Sequence, residues 1–461
     1  MATATKRGKS YRIKVSCGYD VYGKQIIKST TWTPEPTMTE RQIEKELERQ
    51  KVLFEEKCRT GQFIDNNIKF SDFIEKWVTD YAEEQLKATT IANYQGYLQR
   101  IIPALGHIRL SKLQPHHLIE FYKNLAEEGI RKDTKYKPID TFKEVLKSSN
   151  MTQKQLADMA DLSTQTIYSC TKGNNVEKHT ADIISKILGR TDLFTAVNPD
   201  ATLSSKTIAE HHRLLSSILS TAVYWQVIFS NPCERVKAPK VIRKEAKYLD
   251  EVQARDFAAA LNTEPLLYQV AVMVFLTSGV RRGELCGLEW NDIDMKHGII
   301  HINKSLLYLS SKGLYEDTPK TKGSDRFIYI PMDVIMLLKR LRVEQQKNRL
   351  LLGDQWKNTN KVFTTADGNY LRPDNLTTWI SKFIKRHNLP KATIHTLRHT
   401  SATLLIAKGV NVKTVSSRLG HSNTTTTLNI YTHAIKSADA IASEKLNDIF
   451  TITDNCKELP G

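Results

Sequence analysis

The stretch LGHSNTTTTLNIYTH, residues 419–433, carries a histidine directly after a glycine and a tyrosine near its end. Tyr431 can pack one face of a helix together with Leu428 and Ile430, which is the commonest role of an aromatic residue at such spacing. It can also act as a nucleophile, because a phenol attacks electrophiles once its proton is removed. The charged residues that the rest of the chain brings to this stretch decide between the two roles.

The composition is that of a globular protein that binds a polyanion. The 461 residues are 40% hydrophobic and 25% charged, which is typical of a chain with about two to four soluble domains. The formal net charge of +17 favours nucleic acid as a partner, because Lys and Arg side chains that neutralise phosphates release condensed counterions. A membrane surface or simple solubility would also account for a basic chain.

Cysteine and apolar patterns indicate a cytoplasmic protein. The six cysteines form neither a CxxC pair nor a Cys/His cluster, which argues against a disulfide framework or a zinc site. The N-terminus lacks the apolar run of a signal peptide, and the longest apolar stretch, LLYQVAVMVFLTSGV, is too short to span a membrane. We therefore expect a protein of the reducing cytoplasm without a membrane contact.

The N-terminal segment has the pattern of a small basic domain. Residues 11–32 alternate apolar and polar side chains around a YDVYGKQ turn, which predicts an antiparallel sheet. A helix follows, with Thr39 as its expected N-cap and Gly61 after its end. The first 28 residues contain seven Lys or Arg and one acidic residue, which indicates either a DNA-binding surface or a solvated basic tail.

Four helical patterns follow, and they are interrupted once. Three of them lie between residues 70 and 129, and the fourth begins only at about residue 203. The basic, proline-containing stretch VKAPKVIRKEAKY then marks an interdomain boundary. Because the segment between the third and fourth helices fits neither neighbour, we interpret it as an insertion.

The insertion contains TQKQLADMADLSTQTIYSCTKG, which resembles the helix-turn-helix of phage repressors. Thr152 and Ser163 are the expected N-caps of its two helices, and residues 164–168 would carry the base-reading side chains. Residues 140–195, however, contain seven basic and seven acidic residues, whereas a segment that grips phosphates is normally basic. A DNA contact and an interaction or spacer module both stay open.

Cationic residues recur in the C-terminal half at positions where solvation alone does not require them. Arg281 and Arg282 follow an apolar helix, and a buried arginine is costly unless it meets an anion or a structural partner such as Glu284. The strand-like runs GIIHINKSLLYL and RFIYIP are joined through TPKTKGSD, which predicts a hairpin whose tip carries Lys320 and Lys322. Such a lysine can enter a cleft, although exposed lysine-rich loops are commoner.

Two further motifs lead towards Tyr431. The stretch HTLRHTSATLLIAKG predicts a helix with His395 and Arg398 on one face. A second short helix, NVKTVSSRLG, ends at a glycine and delivers His421. The combined set of candidate residues is Arg281, a hairpin lysine, His395, Arg398, His421 and Tyr431.

This set suits attack on a phosphodiester. Two guanidiniums can hold the non-bridging oxygens by charge-assisted hydrogen bonds and offset the negative charge of the transition state. The phenol has an ordinary pKa near 10 and needs a positive field or a base to lose its proton. No cluster of carboxylates accompanies the set, so the sequence predicts neither a metal nor a cofactor.

The motifs SGVRRGEL, PKTKGSDR, HTLRH, LGHSN and NIYTH resemble, in order and spacing, those of the tyrosine recombinases, also called phage-type integrases. The resemblance implies that Arg281 and Arg398 clamp the scissile phosphate while His395 and His421 hydrogen-bond it and assist proton transfer. It further implies that Tyr431 forms a 3′-phosphotyrosyl bond and that a lysine protonates the leaving 5′ oxygen. The PKT context favours Lys320 over Lys322 for that lysine.

The resemblance also implies a domain order and a set of partners. The chain is similar to integrases of conjugative transposons and prophages, which implies a multidomain, mainly α fold with small β-sheets and a mixed α/β catalytic domain. The expected domains are an arm-site DNA-binding domain (1–65), a split helical core-binding domain (66–133 and 200–240), the inserted helix-turn-helix (134–199) and the catalytic domain (245–461). Implied partners are core-type and arm-type duplex DNA sites, a homotetramer on DNA, an excisionase and a host DNA-bending protein.

Two other functions remain possible on the sequence alone. A type IB topoisomerase-like enzyme uses a similar set of Arg, Lys, His and Tyr but rejoins the original strand. A transcriptional repressor would account for the inserted motif, yet it leaves the residues from Arg281 to Tyr431 unexplained.

Overall fold

The computed structural model describes residues 2–19, 23–59, 68–128, 130, 134–198, 201–242, 247–318, 322–421, 423, 425, 427 and 428. The chain divides into two compact units, residues 1–242 and 243–461, each of which is described by itself. Both units combine helices with small sheets, as the sequence predicts. None of the helices in the described ranges is long and apolar enough to cross a membrane.

The first unit begins with a three-stranded antiparallel sheet and a helix. The elements are β1 (Thr3–Arg7), β2 (Ser10–Tyr19), β3 (Gln25–Trp32) and α1 (Glu40–Arg59). Ile13 and Val15 of β2 are buried together with Phe54 of α1. The sequence predicted the sheet from residue 11 onward but missed β1, whose residues are mostly exposed and lack apolar alternation. The position of Gly61, expected after α1, lies outside the described residues.

Helices from both sides of the insertion share one core. They are α2 (Phe70–Trp77), α4 (Ala88–Leu105), α5 (Pro115–Leu125) and, after the insertion, α10 (Ser205–Tyr224). The short helix α3 (Glu83–Gln85), between α2 and α4, has no buried residue. The indole Nε1 of Trp77 donates to Thr221 Oγ1 at 3.0 Å, across 144 residues of sequence. Trp77 of α2 is fully buried in this core, together with Leu214 and Leu215 of α10.

The inserted segment has a core of its own. It comprises β4 (Lys135–Pro138), α6 (Phe142–Ser148), α7 (Gln153–Ala160), α8 (Thr164–Thr171), β5 (Val176–Glu177), α9 (Lys178–Ile187) and β6 (Phe194–Ala196). The predicted N-caps are confirmed, because the side chains of Thr152 and Ser163 accept hydrogen bonds from the backbones of Gln155 and Thr166. β4 pairs with both β5 and β6, so the first and last strands of the insertion are neighbours.

The second unit surrounds the apolar helix that the sequence indicated. Its helices are α11 (Glu251–Ala260), α12 (Leu266–Ser278), α13 (Arg282–Gly287), α14 (Met332–Leu352), α15 (Pro373–Arg386), α16 (Ile394–Ala407) and α17 (Val412–Leu419). α12 is apolar on nearly every side, and it packs against α14 and α16. Val270, Phe275 and Leu338 are fully buried between these elements.

The strands of this unit differ from the predicted hairpin. They are β7 (Ile293–Asp294), β8 (Ile299–Ile302), β9 (Ser305–Leu309), β10 (Gly313–Asp317) and β11 (Arg326–Tyr329). The run GIIHINKSLLYL splits into β8 and β9, β8 pairs with β11, and β9 forms its own hairpin with β10. The prediction of one hairpin was wrong, because only β8 of this run pairs with β11. Asn303, between β8 and β9, donates to Asp292 Oδ1 at 2.9 Å. Residues 319–321, which join β10 to β11, lie outside the described ranges.

Candidate active site

Arg281 precedes α13 and is fixed by a buried carboxylate. Its backbone N–H donates to Glu284 Oε2 at 2.8 Å, and its Nη1 donates to Glu284 Oε1 at 2.6 Å. Glu284 is 4% exposed. The Nη2 of Arg281 also donates to the carbonyl of Gly420 at 2.9 Å. The ion pair considered from the sequence therefore exists, and the same guanidinium contacts the turn that leads to His421.

Arg398 reaches this turn from α16. It is 6% exposed, and its guanidinium donates to the carbonyls of Gly279 and, at 2.8 Å, Leu419. Gly279 ends α12 with φ +66°, and a Cβ added there would lie 2.6 Å from the Leu419 side chain. Only glycine satisfies both conditions without strain. The two predicted arginines, far apart in sequence, thus donate to the successive carbonyls of residues 419 and 420.

The two predicted histidines lie at helix termini beside these arginines. His395 occupies the first turn of α16, after the N-cap Thr393, whose Oγ1 accepts from the backbone N–H of Thr396 at 3.1 Å. His421 follows Gly420, which has φ +66° and ends α17. The backbone N–H of His421 donates to Ser416 O at 3.1 Å, and its Nδ1 is 2.8 Å from Thr427 Oγ1. The left-handed glycine therefore directs the imidazole away from the helix axis.

Both imidazoles are neutral at pH 7. Desolvation and the charges of Arg398, Arg282 and Arg281 lower the pKa of His395. Desolvation, followed by Arg398 and Arg281, lowers the pKa of His421 to about 4. Burial is the largest cause of both pKa shifts, and the neighbouring arginines add to it. Because several cations converge on this small region, it is electrostatically suited to an anion. A neutral imidazole can donate one hydrogen bond to a phosphate and accept a proton at its other nitrogen.

The neighbouring arginine has a different role. Arg282 Nη1 donates to Asp374 Oδ1 and to Thr377 Oγ1, both at 2.8 Å, and so binds the start of α15. The set of site residues predicted from the sequence contains Arg281 and not Arg282. The contacts of Arg281 with Glu284 and Gly420 favour Arg281.

Two predicted residues lie outside the described ranges. They are Lys320, in the connection from β10 to β11, and Tyr431, beyond the last described residue of the chain. Lys322 is described only as the first residue of a single 3₁₀ turn, Lys322–Ser324. The roles of Lys320 and Tyr431, and the choice between the two lysines, stay predictions.

The sequence reasoning missed two residues of this region. Arg326 is buried at the start of β11 and donates to Glu284 Oε2 at 2.8 Å. Its signal was present, because the alternation along RFIY assigns Arg326 and Ile328 to the buried face and Phe327 and Tyr329 to the exposed one. The second such residue is His399, the second histidine of HTLRH. Burial is the largest cause that lowers the pKa of its imidazole, and the nearby His395 and Arg398 lower it further. Within the described residues, no group of three or more His, Cys, Asp or Glu side chains is arranged to hold a metal ion.

Comparison with known proteins identifies the family. The model of the phage integrase family matches residues 247–437, and the model of the phage integrase N-terminal SAM-like domain matches residues 69–126. A XerC-like tyrosine recombinase of Caldanaerobacter subterraneus is 34% identical over 264 residues, which span 54% of this chain and 67% of that protein. The ICEBs1 integrase of Bacillus subtilis is 30% identical, over 54% of this chain and 67% of that protein.

A solved structure shares the fold. The Tn1549 transposon integrase, determined in complex with transposon right end DNA, matches with a TM-score of 0.56 and 19% identity. The match covers 82% of this chain and 100% of that one.

The chain belongs to the phage integrase family of tyrosine recombinases. It is an enzyme that cleaves and rejoins DNA strands in site-specific recombination.

Proposed function

We propose that the chain integrates and excises a mobile DNA element by forming a 3′-phosphotyrosyl bond through Tyr431. The observation that carries this proposal is that Arg281 and Arg398 donate to the carbonyls of Gly420 and Leu419, directly before His421. His395 shares the positive field of these arginines. Two fixed guanidiniums beside neutral imidazoles suit a tetrahedral phosphate that gains negative charge during attack.

The proposed reaction is a pair of transesterifications. The phenolic oxygen of Tyr431 attacks the scissile phosphorus, the bond from phosphorus to the 5′ oxygen breaks, and the departing oxygen takes a proton from Lys320. The phenol proton passes to a neutral imidazole, for which His395 is suited because its side chain still reaches solvent. Attack by the 5′ hydroxyl of a partner strand then reverses the step, so the phosphotyrosyl bond conserves the energy of the original phosphodiester.

Lys320→Ala should slow cleavage strongly because the 5′ oxygen would leave as an unprotonated alkoxide. A substrate whose leaving group is a 5′-phosphorothiolate needs little protonation, and we expect it to restore most of the rate. Single-turnover cleavage of both substrates measures the effect. Rescue of Lys322→Ala instead, with Lys320→Ala unaffected, would assign the role to the second lysine.

Recombination and topoisomerase activity differ in the strand that attacks the intermediate. We expect the purified protein to exchange strands between two defined attachment sites. The names of several relatives refer to mobile elements, among them the ICEBs1 integrase, a phage integrase and a transposon transposase. The test mixes two labelled duplexes of different length and scores hybrid products. Relaxation of supercoiled DNA without any hybrid product would favour the topoisomerase alternative.

The domain division is proposed from separate hydrophobic cores. The described residues of 1–65, of the paired ranges 66–133 and 200–240, and of 134–199 each contain one separate buried cluster, and those of 245–461 contain two. We further propose a homotetramer on DNA, with an excisionase and a host DNA-bending protein as accessory partners, in the cytoplasm. Nucleic acid binding agrees with the net charge of +17.

We propose that the N-terminal sheet binds arm-type sites with the face opposite α1. Ile13 and Val15 point towards α1, so Arg12 and Lys14 point the other way. The register aligns Lys14 with Thr3 and Ser29, and Arg12 with Thr5 and Thr31. This face therefore combines cations with hydroxyl groups, and β-strands are known to enter the major groove of DNA.

Deletion of residues 1–65 should abolish binding to arm-type sites and spare cleavage of core-type sites. The sheet and α1 form a separate core, so the remaining chain keeps its own packing. Mobility shifts on arm-site DNA and suicide-substrate cleavage on core-site DNA measure the two effects. A matched variant of the full chain, Arg12→Gln with Lys14→Gln, removes the two charges without deleting the domain, and it should also lose affinity for arm-site DNA. Equal arm-site affinity in all three proteins would contradict the proposal.

The insertion is proposed to be a helix-turn-helix module that projects from the core-binding domain. α7 and α8 are joined by a three-residue turn whose Asp161 has φ +51°. Thr164, Gln165 and Tyr168 are exposed on α8, and the Lys172 ammonium is 5.5 Å from the Tyr168 ring centre. These polar groups suit modest contacts with bases next to the core site, while the balanced charge opposes tight non-specific binding.

Replacing residues 134–199 with a short Gly/Ser linker should leave core-site cleavage intact. The ends of the insertion are adjacent, because β4 pairs with β6 and Val197 N donates to Lys135 O at 2.7 Å. Any loss should be confined to flanking-sequence preference or tetramer assembly. Cleavage on wild-type and scrambled flanks decides: a folded deletion protein that forms no covalent intermediate on either substrate would make the insertion part of the catalytic machinery.

A further inference from the structure

Arg326 is a buried guanidinium that contacts three separate segments of the candidate site. Its Nη2 and Nη1 donate to the two carboxylate oxygens of Glu284, at 2.8 and 3.3 Å. Its Nε donates to the carbonyl of Arg418 at 2.7 Å, and Nη1 also donates to Ser324 O at 2.9 Å. The side chains of Arg326 and Glu284 are only 6% and 5% exposed. One residue thus connects α13, the end of α17 and the turn that precedes β11.

The turn before His421 rests directly on this guanidinium. Gly420 has φ +66°, and a Cβ added there would lie 2.8 Å from Arg326 Nη1 and 3.0 Å from its Cζ. Glycine is required at this position both by the backbone conformation and by the close approach of Arg326. A shift of Arg326 would therefore move the backbone of Gly420, whose carbonyl accepts a hydrogen bond from Arg281.

Glu284 is shared by two arginines. Burial alone would raise the pKa of its carboxyl, but the hydrogen bonds and charge of Arg326, and then those of Arg281, lower it. The carboxylate is consequently ionised at neutral pH, with one oxygen bonded to the Arg281 side chain and the other to its backbone N–H. Without Arg326, Arg281 is the only one of the two arginines that still pairs with Glu284. A buried carboxylate with fewer partners changes its position or takes up a proton.

We propose that Arg326 is a positioning residue for the recombination reaction. It fixes the position of the Arg281 guanidinium through Glu284. It also stabilises the turn before His421 by its hydrogen bond to the carbonyl of Arg418. We assign it no direct contact with the phosphate, because both of its Nη atoms bond the Glu284 carboxylate and its Nε bonds the Arg418 carbonyl. This proposal rests on the proposed function, since it assumes that Arg281 and His421 bind the scissile phosphate.

A purely structural ion pair is the competing explanation, and a change of substrate distinguishes the two. Replacing a non-bridging oxygen of the scissile phosphate by a methyl group gives a neutral methylphosphonate. That linkage develops less negative charge on attack and depends less on a correctly placed Arg281. A structural defect would lower the rate on both substrates by the same factor.

The experiment measures single-turnover cleavage by the full-length protein at saturating DNA. We expect Arg326→Met and Arg326→Lys to cleave the phosphodiester about 10²-fold more slowly than wild type, a typical loss for a misplaced charge-stabilising donor. On the methylphosphonate the deficit should shrink at least about tenfold, as it should for Arg281→Met. Lys320→Ala is the reference that methylphosphonate should not rescue, since its defect concerns the leaving group.

Two controls keep the result interpretable if the variants lose stability. Leu338→Ala changes a fully buried residue of α14 that has no role in the proposed reaction, and it supplies a destabilised protein whose rate per folded molecule should match wild type. The double variant Arg326→Met with Glu284→Met replaces the buried pair by apolar groups and should recover melting temperature while remaining slow.

The outcomes separate the two proposals. A folded Arg326→Met that cleaves at the wild-type rate, or whose deficit is equal on both substrates, overturns the positioning role. Recovery of wild-type cleavage in the apolar double variant overturns it as well. Absence of any covalent adduct with wild-type protein on the phosphodiester would instead overturn the proposed function.

Discussion

Tyr431→Phe should abolish strand cleavage while DNA affinity stays within about twofold of wild type. The substitution removes one hydroxyl, so the attacking atom is lost and the cationic surface is unchanged. We expect a rate loss on the order of 10⁴-fold or more, as for removal of the nucleophile from other covalent catalysts. A denaturing gel with a nicked suicide substrate measures adduct formation, and a mobility shift measures affinity.

The matched control for this variant is Tyr308→Phe. Tyr308 lies on β9, where its ring is 3.8 Å from the Arg372 guanidinium, and it has no part in the proposed reaction. It should cleave at nearly the wild-type rate. A covalent adduct that persists in Tyr431→Phe would refute the assignment of the nucleophile.

Arg398→Lys keeps the charge yet should reduce cleavage by roughly 10²- to 10³-fold. The planar guanidinium of Arg398 donates to the carbonyls of Gly279 and Leu419 at once, and an ammonium on a flexible stem cannot reproduce that fork. The measurement is single-turnover cleavage at saturating DNA, so that weaker binding does not contribute.

Arg282→Lys supplies the comparison for Arg398→Lys. Arg282 is partly exposed and bonds Asp374 and Thr377, so its replacement should change the rate by no more than about threefold. Equal losses in the two variants would mean that general destabilisation of this unit, rather than the position of Arg398, accounts for the effect.

The sequence predicted the segments whose signals are local. The apolar run of α12, the N-caps Thr152 and Ser163, and the glycine that ends α17 are each determined by residues within one or two turns. The arginines and histidines of the site were identified from their motifs. The meeting of Arg281 and Arg398 at the carbonyls of residues 419 and 420 depends on the packing of α12 against α16 and could not be predicted from spacing.

Other features are determined only by tertiary partners. Strand β10 begins with Gly313 and is largely polar, and it is a strand because β9 pairs with it. Strand β1 is mostly exposed and likewise depends on β2. Arg326 gave a weaker signal through its inward position in β11, but its partner Glu284 lies 42 residues away. Such pairings need the fold before they can be recognised.

We expect Tyr431 to carry the covalent link to DNA. The most direct measurement traps the wild-type protein on a nicked suicide substrate, digests the adduct with protease and locates the DNA-linked residue by mass spectrometry. We predict a single linkage, from the phenolic oxygen of Tyr431 to a 3′ phosphate, with a free 5′ hydroxyl on the released strand. A linkage to any other residue, or to a 5′ phosphate, would contradict the account.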